Sequence, residues 1–67
     1  MNISEKFGKK VKELRTKHKM SQAGLAKKIG VHSTYISQIE RGIQNVSLNG
    51  IERLAKVFGV PTDLLLK

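Results

Sequence analysis

The sequence predicts an all-α fold of five short helices, and three observations carry that reading. Apolar residues recur three and four positions apart through most of the chain, the period of an amphipathic helix. Small capping residues stand ahead of these runs, as at Ser21 and Ser47, and glycines stand behind them, as at Gly30, Gly42 and Gly59. The stretch from Ser21 to Gly42 itself reads as two short helices joined by a tight glycine turn.

Taken in order, the first helix has Ser4 as its N-cap and Glu5 in its first turn, where the helix dipole favours an acid. Ile3, Phe7, Val11 and Leu14 then form an apolar stripe that runs to about His18. Lys6, Lys9, Lys10, Lys12 and Lys17 cover the other faces, as a solvated surface or with one or two of them near a phosphate backbone. Gly8 costs such a helix up to ~1 kcal/mol against alanine, and close approach of a neighbouring helix would account for it. Arg15 lies one turn beyond Val11 and should lean toward the core.

Ser21 opens the second helix, Leu25, Ala26 and Ile29 form its buried stripe, and Gly30 ends it where a positive φ is needed. Met20 packs inward ahead of it, Val31 plugs the turn behind it, and Lys27 and Lys28 are solvated, with Lys27 within reach of the backbone. The third helix follows His32 at the N-cap, with Ser33 able to share that role, and it buries Ile36 and Ile39. Its far side holds Thr34, Ser37, Gln38 and Arg41, flanked by Ser33 and Tyr35, with no acid among them. Short hydrogen-bonding groups with a cation at the end suit the major groove of DNA.

Gly42 closes that helix, residues 43–46 form a loop, and Ser47 caps a fourth helix that buries Leu48, Ile51, Leu54, Ala55 and Phe58 up to Gly59. Pro61 suits the first position of the last helix, where its missing N–H is not needed. Leu64, Leu65 and Leu66 cannot all face the chain's own core, so at least one should be exposed and form a self-complementary dimer patch. A monomer with a frayed apolar tail is the alternative.

Composition narrows the function classes. A chain of 67 residues is expected to be one domain, 1–67, with little stability margin from a single core. Its formal charge of +8 implies a polyanionic partner or a basic surface kept for solubility. Cysteine is absent, so neither a disulfide framework nor a thiolate metal site is expected, and two histidines lack further ligands for a metal. No apolar run approaches the ~20 residues needed to span a bilayer, and no signal-peptide core begins the chain. The expected location is the cytoplasm. Scattered acids, no acid partner for either histidine and no glycine-rich phosphate loop speak against an enzyme, and no cofactor is expected.

The chain resembles the phage Cro and cI repressor family, whose domain carries a helix-turn-helix in its second and third helices. The resemblance rests on Ser21-Gln22, Leu25-Ala26, Gly30-Val31 and the run from Ile36 to Gly42, and continues through Val46-Ser47-Leu48, Leu54-Ala55-Lys56, Gly59-Val60 and Asp63-Leu64-Leu65. It implies a compact five-helix DNA-binding domain in which Arg15 pairs with Glu40, although Arg15 on a phosphate is the alternative. It further implies that Gln22, at a helix N-terminus, grips a phosphate, with a plain capping role as the alternative. The third helix would read bases through Ser33, Thr34, Ser37 and Gln38, the last suited to a bidentate adenine contact. Gln22, Tyr35, Arg41, Gln44 and Asn45 would hold the DNA backbone, Tyr35 being otherwise a packing residue.

The family dimerises through the region of Leu64, Leu65 and Leu66, so a homodimer on a pseudo-palindromic operator in double-stranded DNA is implied. Thr34-Tyr35-Ile36-Ser37, Ile39-Glu40-Arg41-Gly42 and Asn45-Val46-Ser47 are also similar to controller proteins of restriction–modification systems. Those often carry arginine where this chain has Ser33, so base preference does not transfer. A phage-type repressor, or an antitoxin whose main partner is a toxin, is the alternative reading. Polymerase would be blocked or recruited according to operator position, and neither RNA nor a membrane surface fits the residues as well.

Overall fold

A computed structural model describes residues 2–66, so the two ends of the expected 1–67 unit, residues 1 and 67, lie outside the described residues. Its helices are α1 (Ile3–Lys17), α2 (Gln22–Ile29), α3 (Ser33–Glu40), α4 (Leu48–Phe58) and α5 (Thr62–Leu66), and no strand occurs among the described residues. The stripes meet in one apolar cluster whose most deeply buried side chains are Val11, Leu25, Ile36, Ile39, Leu54 and Leu65, so every helix contributes. That burial is the main force holding so small a chain together.

The N-cap of α1 is Asn2, not Ser4. Asn2 Oδ1 accepts the Glu5 N–H at 2.8 Å, and Glu5 Oε1 accepts the Asn2 N–H at 2.9 Å, a complete capping box. Ser4 sits inside the first turn and donates to Asn45 Oδ1 at 3.4 Å. Two apolar residues expected in the core are outside it. Ile3 is 71% exposed and Leu48 78% exposed, each being the first residue of its helix, where the stripe overhangs the packed surface. Pro61 lies just before α5 instead of in it, its carbonyl accepting the Leu64 N–H at 3.1 Å.

Of the three leucines, Leu65 is only 1% exposed and belongs to the core of its own chain, while Leu64 and Leu66 are exposed. Leu65 therefore offers no surface to a partner. His18, the C-cap residue of α1, has Nε2 3.1 Å from the Phe58 carbonyl and its ring edge-on to the Phe58 ring, joining the ends of α1 and α4.

Gly8 lets α1 pass close across the end of α3. A Cβ there would collide with the Ile39 carbonyl oxygen and lie 3.1 Å from Glu40 Cα, both backbone atoms that cannot turn aside. Gly8→Ala should therefore lower stability by about 1–3 kcal/mol in urea denaturation, although alanine is the better helix former. A more stable variant would mean that α1 and α3 separate freely.

Candidate nucleic-acid interface

The turn between α2 and α3 depends on Gly30, whose φ of 76° is left-handed. The N–H groups of Gly30 and Val31 both return to the Ala26 carbonyl, and Val31 packs partly buried against the core. Ser21 caps α2 by accepting the Gly24 N–H at 2.9 Å. By contrast, His32 makes no side-chain capping bond to α3, and Ser33 supplies none in its place. The positive end of α3 is left without a side-chain cap, a setting that favours an anion.

Three hydrogen bonds to Glu40 hold α3 in its orientation beyond the anchorage of Ile36 and Ile39. Arg15 donates through Nε to Glu40 Oε2 at 2.6 Å and through Nη2 to Glu40 Oε1 at 3.0 Å, a two-pronged pair between α1 and the end of α3. The side chains are 12% and 4% exposed. Arg15 Nη1 donates to the Met20 carbonyl at 2.9 Å, and Gln22 Nε2 donates to Glu40 Oε1 at 3.1 Å. The hydrogen bond to Glu40 raises the pKa of Arg15 further, with burial acting against it and the charge of Glu40 adding to it. The guanidinium thus stays charged, and one carboxylate ties α1, α2 and α3 into a rigid frame.

That frame displays a polar face. Ser33, Thr34 and Arg41 are exposed and Ser37 and Gln38 half-buried. Among the described residues none of these five side chains makes a hydrogen bond or ion pair within the chain. Their donors and acceptors are therefore free for a ligand, which base recognition requires. Tyr35 is half-buried against the core and keeps part of its ring at the surface.

The residues expected on the DNA backbone are more dispersed. Gln22 is committed to Glu40, so its phosphate role would use a group already positioned by α3. Gln44 donates to the Asn45 carbonyl, and both line a small dent with Ile3, Phe7, Val46 and Leu66. They therefore sit with the N-terminal end of α1 and the end of α5. One cation that sequence reasoning passed over is Arg53, whose Nη1 donates to the Ile29 carbonyl at 3.3 Å at the end of α2. Its spacing from Asn49 and Lys56 on α4 was the available sign. Among the described residues no group of three His, Cys, Asp or Glu side chains could hold a metal ion, and no helix is long and apolar enough to cross a membrane.

The helix-turn-helix family matches residues 11–65. The control protein C.BamHI of Bacillus amyloliquefaciens is 53% identical over 66 residues, covering 96% of this chain and 82% of that protein. Among solved structures, the restriction–modification controller protein C.AhdI from Aeromonas hydrophila superposes with a TM-score of 0.87 at 39% identity, covering 92% of this chain and 94% of that one. The biofilm master regulator SinR, solved in complex with DNA, superposes with a TM-score of 0.85 at 35% identity, covering 91% and 98%.

Proposed function

We propose, from the premise that this chain belongs to the helix-turn-helix family and is a DNA-binding transcriptional regulator, that it acts as a homodimer on a pseudo-palindromic operator and controls a restriction–modification system. The observation that carries the reading is the face of α3: Ser33, Thr34, Ser37 and Gln38 are free of internal partners on a helix locked by Glu40. Those four would read base edges, and Arg41, Tyr35, Gln22, Gln44 and Asn45 would hold phosphates. The chain acts as a single cytoplasmic domain and carries out no catalysis. Leu64 and Leu66 would supply the exposed apolar surface between protomers.

Two copies of α3 would then enter successive major grooves about 34 Å apart. Regulation follows from where the operator lies: a dimer across a promoter blocks polymerase, and one beside it recruits polymerase. Selection from a random duplex library should enrich an inverted repeat with half-sites near one turn apart. Salt-steep affinity with no enriched motif would remove base reading from the function.

Gln38→Ala should cost about 1–3 kcal/mol of discrimination at a single base pair of the enriched site and leave the salt slope nearly unchanged. Binding competitions across single-base variants measure both quantities. A loss spread evenly over all sequences would show that Gln38 holds backbone and does not read a base.

A further inference from the structure

We propose that a cationic furrow between the end of α2 and the middle of α4 is a second phosphate-binding track, which lengthens the DNA contact beyond the reach of α3. The inference rests on the DNA-binding reading and adds to it a surface outside the recognition helix. Lys27 and Lys28 from the last turn of α2 and Arg53 and Lys56 from α4 surround a furrow of about 510 Å³. All four are exposed, and no acid lines the furrow.

Four like charges around one hollow repel each other, and a polyanion lying in it would relieve that repulsion. Lys27 and Lys28 also favour the negative end of α2, but that end is already served by Arg53, which donates to the Ile29 carbonyl at 3.3 Å. This bond holds the guanidinium in place before any ligand arrives. Glu52 does not line the furrow but lines the adjoining dent with Asn49, Arg53 and Lys56.

The position of the furrow names its occupant. It shares Ile29 and Arg53 with a second hollow of about 290 Å³ that is also lined by Val31, Tyr35, Ser47 and Asn49. Tyr35 belongs to α3, so the hollow beside the cationic furrow reaches the base-reading helix. A duplex presents one phosphate per ~3.4 Å along each strand, so a strand leaving α3 past Tyr35 meets a row of cations. An acidic protein surface would satisfy the charges equally but not this adjacency to α3.

The test compares Lys27→Gln/Lys28→Gln/Lys56→Gln with Lys6→Gln/Lys10→Gln/Lys17→Gln, which removes the same charge from the side of α1 half a turn away from Arg15. Arg53 is kept, so the bond to Ile29 survives, and circular dichroism melts confirm that both variants fold. The probe is a 40-base-pair random-sequence duplex, with affinity followed against salt. The furrow variant should lose about 2–3 from the slope of log K against log salt per protomer, and the α1 variant less than one. Equal slopes in the two variants would overturn the furrow while leaving DNA binding intact. An acidic-protein site would show itself in the same way, with DNA slopes unchanged. Absence of duplex binding by the unmodified chain would overturn both the function and the furrow.

Discussion

Replacing Glu40 by alanine is expected to lower the stability of this chain by about 3–5 kcal/mol, because it leaves the Arg15 guanidinium charged, poorly solvated and unpaired. At roughly 0.05–0.15 kcal/mol per residue, a chain of this length holds about 3–10 kcal/mol in all, so much or all of the folded population is at stake. Glu40→Ala also releases Gln22, which loses the partner that fixes it at the start of α2. The partner variant Arg15→Ala strands the Glu40 carboxylate, which keeps only the Gln22 amide. Replacing both by apolar residues of similar size, Arg15→Met with Glu40→Leu, should recover most of the loss, since neither charge then needs solvating. Urea denaturation followed by circular dichroism separates these cases. If the single variants lose less than about 1 kcal/mol, the pair behaves as an exposed one and does not lock α3.

Much of this frame was legible in the sequence for a physical reason. Helices α2 and α4 have buried stripes at helical spacing, serine caps in front and left-handed glycines behind, so local and tertiary demands agree. The pairing of Arg15 with Glu40 was legible only through family resemblance, since residues 25 positions apart carry no local sign of contact. At helix ends the sequence is ambiguous. Asn2 and Ser4 both precede Glu5, and only Asn2 stands at the three-residue offset that closes a capping box. Ile3 and Leu48 continue the apolar period of their helices, but the period does not say where the packed surface stops. The candidate site divides in the same way. The outward face of α3 followed from periodicity, whereas the furrow at Arg53 depends on how α2 lies against α4, a tertiary fact.

The leucines of α5 show how far a short helix defeats pattern reading. Five residues do not complete two turns, so three successive leucines give no stripe from which to choose the inward one. The structure seats Leu65 in the core at 1% exposure and leaves Leu64 and Leu66 outside. Leu65→Glu should consequently unfold the chain instead of merely separating a dimer. It removes a large buried side chain, a loss of about 2–5 kcal/mol, and places a carboxyl without a partner in the apolar core or drives α5 off it. Thermal melts should show no cooperative transition above room temperature. Leu66→Glu provides the contrast: it should melt nearly as the unmodified chain does but lose the proposed homodimer, sedimenting as a monomer. If Leu65→Glu melts cooperatively and sediments as a monomer, α5 is a detachable arm and Leu65 reaches the interface after all. An unchanged dimer in Leu66→Glu would move the interface off Leu66, toward Leu64 or the exposed apolar residues Ile3, Ile43 and Leu48.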